Sequence, residues 1–135
     1  NLDTDYYLIC TGTGIAPFRS MLHEIANKSI PHKRVYLIFG TRKKDNLLYY
    51  DELKKLTEEH PGLFYIPVLS REEWDGAAGY VHEVYKKIIE SKKHGDELPP
   101  AHFYLCGWKN MIDEAKKTIT DLGYDKKMIH QELYG

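Results

Sequence analysis

Cysteine is nearly missing from this chain: Cys10 and Cys106 are its two thiols in 135 residues. That excludes a disulfide framework and points to the cytoplasm or another reducing compartment. An excess of charge of one sign is missing too. Nineteen Lys and Arg oppose twenty Asp and Glu, a net charge of -1, so no basic field recruits nucleic acid or anionic lipid. Apolar runs stop after a few residues, and none reaches the length of a membrane span. No charged-then-apolar leader precedes the apolar run at Tyr6. The seven histidines lack the H-x-x-x-H spacing of a helical metal site, and the two cysteines lack ligand spacing, so no metal is expected. There is no nucleophile elbow and no paired His-Asp arrangement near a cysteine, which argues against a hydrolase.

What is present is an ordinary globular mixture, 42% apolar and 29% charged, which rules against disorder, collagen and coiled coil. The length suits one domain, 1–135, and leaves little space for an enzyme that binds two large cofactors. The chain opens on Asn1 rather than methionine. A processed start or a piece of a longer protein accounts for that.

Short apolar runs alternate with amphipathic stretches. Tyr6 to Cys10 reads as a strand and ends at a Thr-Gly-Thr-Gly turn. Pro17 then opens a helical pattern, with Phe18, Met21, Leu22 and Ile25 at i, i+3, i+4 and i+7. Val35 to Phe39 is a second strand, stopped by Gly40. Leu48 to Glu59 is a helix with Leu53 and Leu56 inward, ended by His60-Pro61-Gly62. Leu63 to Leu69 is a third strand, with Pro67 marking an edge or a bulge. Val81, Val84, Tyr85 and Ile88 repeat the helical spacing. A polar, proline-containing loop from His94 to Pro100 leads to a strand over Phe103 to Cys106. Met111 to Leu122 is a helix with Gly123 as its C-cap, and Met128 to Tyr134 is a last strand. This alternation predicts an α/β fold: a Rossmann-like, doubly wound, five-stranded parallel sheet with helices on both faces. In such a sheet ligands bind beyond the carboxyl ends of the strands, so those ends are where function is to be sought.

After the first strand, Gly12 and Gly14 allow a sharp turn and close approach to a ligand. The helix that follows offers unpaired N–H groups and a positive dipole end, suited to a pyrophosphate. The full G-x-G-x-x-G pattern is not met, because Pro17 stands at the third glycine, and no Lys-Ser/Thr makes a P-loop. A tight turn alone is the competing reading. After the third strand, Ser70 and Arg71 could together bond a phosphate, or Arg71 could simply be solvated beside Glu72. After the next comes Cys106-Gly107-Trp108, where a small buried apolar side chain is the plain alternative.

Taken in order, GTGIAPF, FGTRKKDNLLYYDEL, LSREEWDGAAGYV, FYLCGWKNMI and HQELY resemble the NAD(P)H-binding, carboxy-terminal domain of the ferredoxin–NADP reductase family of flavin oxidoreductases. The resemblance spans nearly the whole chain. It implies hydride transfer between NADP(H) and FAD, with electrons passing to or from ferredoxin, flavodoxin or another acceptor. It implies pyrophosphate binding at Thr11, Gly12, Thr13, Gly14, Ile15 and Pro17. Gly40, Thr41 and Arg42 are implied cofactor contacts, as are Gly107 and Met111. By the same resemblance Ser70 and Arg71 grip a 2′-phosphate, and Tyr80 packs on the adenine side. Cys106 lies by the nicotinamide, Glu132 near the reaction centre and Tyr134 on the flavin.

Two departures matter. The plant-type pattern has a lysine two residues before the adenine-side tyrosine, and here that position is Ala78. The segment Trp74 to Val81 is closer to oxygenase-type reductases, many of which use NADH. An NADH-dependent module therefore stands as one alternative, and a nucleotide-binding or regulatory domain without catalysis as another. The family's flavin barrel, with its Arg-x-Tyr-Ser-type signature, is not in these 135 residues. FAD is expected on a domain of the same parent chain that precedes Asn1, and the fragment alone is not expected to be competent.

Overall fold

The computed structural model describes residues 4–11, 15–28, 34–41, 49–69, 77–78 and 81–134. The elements run β1 (Asp5–Thr11), α1 (Ile15–Asn27), β2 (Val35–Thr41), α2 (Tyr50–Glu59), β3 (Leu63–Leu69), β4 (Ala77–Ala78), α3 (Val81–Lys92), β5 (Ala101–Trp108), α4 (Lys109–Leu122) and β6 (Ile129–Tyr134). All strand pairs are parallel, in the order β4-β3-β2-β1-β5-β6. The expected α/β sheet with helices on both faces is therefore present. A two-residue sixth strand, β4, is added beside Val68 and Leu69 at the far edge.

The central strands β1 and β2 are apolar on two sides because both sides are covered. On one face Tyr7, Ile9, Ile38, Phe103 and Leu105 meet α3 and α4 through Tyr85, Ile89, Ile112 and Ile119. On the other, Leu8, Cys10, Leu37, Phe39 and Cys106 meet α1 and α2 through Ile15, Phe18, Leu22 and Leu53. The first face carries an aromatic ladder along the register. Phe103, Tyr7, Tyr36 and Phe64 stack in succession, with ring centroids 5.2, 5.0 and 5.0 Å apart. In a parallel sheet register partners project from the same face, so four rings on four strands meet side by side.

β1, β2 and β5 run one or two residues beyond the expected ends and α4 starts at Lys109 rather than Met111; three further boundaries shift for a local reason. α1 starts at Ile15, two residues before Pro17, which is tolerated in a first turn because its missing N–H has no intrahelical partner. α2 starts at Tyr50, after Tyr49 in the left-handed region at φ 60°. That ring lies 4.4 Å from the Arg19 guanidinium carbon, and the contact offsets some of the strain. Met128 belongs to a short 3₁₀ turn, Lys126–Met128, capped when Lys127 N–H donates to Asp125 Oδ1 at 2.9 Å. Gly40 does not stop β2, which runs on to Thr41 because its backbone stays in the parallel ladder opposite Thr11. At the helix ends the breakers act as read. Gly62 and Gly123 have φ of 94° and 117°. Behind Gly123, Tyr124 N–H donates to Ile119 O, closing a Schellman turn. Pro67 pairs towards Phe39 on β2, while β4 reaches Val68 and Leu69, so among the described residues its outer side faces no strand.

Candidate functional site

The strand order reverses between β1 and β5: β2 and β3 continue from β1 on one side, β5 and β6 on the other. That reversal opens a crevice beyond the carboxyl ends, where helices leave in opposite directions. The register brings Cys10 beside Cys106 and Cys106 beside Glu132, while Thr11 pairs with Gly40 and Trp108 with Tyr134. Expected site residues separated by more than a hundred positions thus share one edge.

Thr11 is the wedge at the centre. A Cβ built on Gly107 would lie 2.9 Å from Thr11 Oγ1 and 2.6 Å from Met111 Cε. A Cβ built on Gly40 would lie 3.3 Å from Thr11 Cγ2 and 2.5 Å from Val81 Cγ1. Both glycines let neighbours close in: α3 begins directly against β2, and the first turn of α4 directly against β5. Ile15, fully buried, anchors the start of α1 in the core, and Pro17 is half-buried in its first turn. That turn carries no acidic residue, so nothing there opposes an anion at the unpaired N–H groups and the positive end of the helix dipole. Thr41 ends β2, half-buried.

Cys10 and Cys106 are both buried, and no disulfide joins them. Burial pushes the Cys10 thiol up, and the neighbouring Cys106 adds to it, so Cys10 is a neutral packing group rather than a thiolate. Glu132 and Tyr134 are placed here by the backbone of β6 alone. Gly12, Thr13, Gly14, Arg42, Ser70, Arg71 and Tyr80 lie outside the described residues. Among the described residues, no group of three His, Cys, Asp or Glu could hold a metal ion, and no helix is long and apolar enough to cross a membrane.

Among the described residues, one cleft of about 450 Å³ lies by Lys116, Lys126 and Ile129, and another of about 410 Å³ lies by Asp5, Arg34 and Lys92. Neither is lined by Thr11, Gly40, Cys106 or Gly107. Topology is the better guide here than cleft size. One residue of this edge was missed from sequence: His82, the second residue of α3 and nearly buried. Its spacing of three from Tyr85 was a helical-face signal, masked because histidine does not count as apolar.

Fold and edge together define an α/β nucleotide-binding domain. Residues 8–117 match the family described as oxidoreductase NAD-binding domain, and the chain belongs to that family. More particularly, it is an NAD(P)H-binding domain of the ferredoxin–NADP reductase type. It is 37% identical over 123 residues to the root-type chloroplastic ferredoxin–NADP reductase of Nicotiana tabacum, covering 84% of this chain and 32% of that protein. It is 27% identical over 138 residues to a component of the Na(+)-translocating NADH-quinone reductase of Neisseria meningitidis, covering 98% and 33%. A ferredoxin NADP+ reductase from Neisseria gonorrhoeae, solved with bound FAD and NADP, superposes with a TM-score of 0.79 at 28% identity, covering 98% of this chain and 56% of that one. The chain thus spans about a third of the length of these two curated relatives.

Proposed function

We propose that this chain is the nicotinamide-nucleotide-binding module of a flavoprotein reductase, working with an FAD domain of the same parent protein. The observation that carries the reading is the crevice at the strand reversal, where Thr11 sits between Gly40 and Gly107 and α1 begins a few residues on. NADP(H) and FAD, when bound, supply the hydride chemistry. The chain's own residues bind, orient and exclude water. The first turn of α1 with Gly12, Thr13 and Gly14 seats a pyrophosphate. Ser70 and Arg71 hold the 2′-phosphate through charge-assisted hydrogen bonds, and Tyr80 packs on the adenine side. Cys106, Gly107 and Met111 form the floor for the nicotinamide. Glu132 and Tyr134 face the flavin, keeping the reacting ring in position and dry. The acceptor is ferredoxin, flavodoxin or another electron acceptor that docks largely on the flavin half.

The second reading, an NADH-dependent module, has its own support: Ala78 in place of a lysine, and similarity to a protein whose name includes NADH-quinone reductase. One substitution separates them. Arg71→Ala is expected to weaken NADPH binding by about 1–3 kcal/mol and to leave NADH binding nearly unchanged, as measured by calorimetric titration. Equal loss for both nucleotides would assign Arg71 to structure and favour the NADH reading.

A further inference from the structure

β6 is the outer strand of the sheet, and among the described residues no strand pairs with its far side. Open edges are commonly blunted by a proline, a bulge or a lysine on the strand itself. β6 has none of these. Ile129 to Tyr134 contains no Pro, Gly, Lys or Arg, and all six residues keep the parallel register with β5. The far side therefore presents a regular row of backbone donors and acceptors.

The cleft of about 450 Å³ lies beside this strand. Ile129 and Gln131 line it from β6, Lys116, Lys117 and Thr120 from α4, and Lys126 from the turn between them. Ile129 is in register with Phe103, so both lie on the side of the sheet that α3 and α4 cover. Gln131, two residues on, shares that side. Among the described residues no carboxylate lines the cleft, and none of the three ammonium groups has a hydrogen-bond or ion-pair partner. Nearby acids are engaged elsewhere. Asp113 accepts from Lys109 Nζ at 2.6 Å, and Asp125 from the Lys127 N–H. Glu114 lies 3.4 Å from Nε2 of His82 on α3, a ring that burial keeps below the ordinary histidine range.

Lysines beside an edge can serve simply to keep other strands away. These three sit on one side of the sheet and none is on β6, so what they repel is positive charge on that side. A strand carrying acids there is attracted instead. Two copies of this chain pairing β6 to β6 about a two-fold axis would bring both sets of lysines to one side of the joined sheet. The charge therefore selects an acidic partner over a second copy.

We propose that the far side of β6 is a docking edge for an extended acidic segment of a partner protein. The segment adds to the sheet through main-chain hydrogen bonds and places acidic side chains, at alternate positions, against Lys116, Lys117 and Lys126. The lysines fix the register, because a slip of one residue turns every acid to the opposite face. None of the cleft's residues belongs to the proposed nucleotide edge, so the two sites stand or fall separately.

The experiment is an NMR titration of this chain, isotope-labelled, with a blocked peptide of about six residues alternating Glu and Thr, and with its Lys–Thr counterpart. The Glu–Thr peptide is expected to shift the amides of Ile129 to Gln131 and of Lys116 to Thr120, to slow hydrogen exchange in β6, and to bind less tightly as salt is added. The Lys–Thr peptide is expected to shift none of them. K116Q/K117Q/K126Q is expected to bind the Glu–Thr peptide severalfold more weakly. Should that variant not fold, K117Q/K126Q replaces it, since both of these side chains are exposed. Equal binding of the two peptides, equal affinity in the variant, shifts that map away from β6 and α4, or no shift at millimolar peptide each overturns the proposal. So does dimerisation of the free chain through β6, seen by sedimentation, because the edge then belongs to a second copy.

Discussion

Gly40 and Gly107 have the same physical role at the edge but different tolerance. A methyl group on residue 40 would lie 2.5 Å from Val81 Cγ1. Val81 is buried and β-branched at the start of α3, so it has no rotamer to escape into and the helix itself must shift. A methyl group on residue 107 meets the end of Met111 at 2.6 Å, a flexible side chain that can swing aside, though Thr11 Oγ1 stands close behind at 2.9 Å. Gly40→Ala is therefore expected to cost about 1–3 kcal/mol, and Gly107→Ala less, in urea unfolding. The reverse order would mean that Thr11, not α3, sets the packing of the edge. Sequence alone marked Gly40 as a strand stop and placed Gly107 just past a strand, whereas both lie within their strands. It could not say that each makes room for a helix: Val81 is 41 positions from Gly40, and Met111, though only four from Gly107, meets it only because α4 folds straight back against β5.

At the scale of elements, α1 and α2 are held at their upper ends by a charged cluster. Arg19 donates to both oxygens of Glu52, at 2.5 and 2.8 Å, and His23 Nε2 lies 3.0 Å from Glu52 Oε2. Arg19 foremost, then His23, pulls the Glu52 carboxyl down to about 2. A carboxyl with a lowered native pKa stabilises the fold above its ordinary value and loses that contribution as pH falls through the native one. The difference in melting temperature between the native chain and Glu52→Gln should thus be constant above pH of about 4.5 and shrink towards pH 2. Arg19 and Glu52 are each more than a third exposed, so the difference should be small and should fall with added salt. His82 gives a second pH limb. Its native pKa is lowered, so the unfolded chain binds more protons, and stability should decline as pH falls below about 6.5. In His82→Gln that part of the decline should vanish. The helices themselves were legible from apolar spacing. Their contacts were not, since Arg19 and Glu52 are 33 residues apart and nothing local pairs them.

At the scale of the whole molecule, the chain has one proposed nucleotide-binding edge and spans about a third of the two curated relatives. Purified alone, it is expected to bind NADP(H), to retain no FAD after dialysis against excess flavin, and to transfer no hydride to an added acceptor. Stoichiometric FAD retained by this chain would overturn the division of labour proposed for it. The sequence by itself determined the strand and helix order, the parallel sheet and the residues at the strand ends, because apolar periodicity and Gly and Pro breakers act over a few positions. The tertiary structure alone decided that β5 lies beside β1, which puts Cys106 against Cys10 and Gly107 against Thr11. It alone decided that His82 bridges two helices. Such neighbours come from burying both faces of one sheet at once, a condition on the whole chain that no local window of sequence contains.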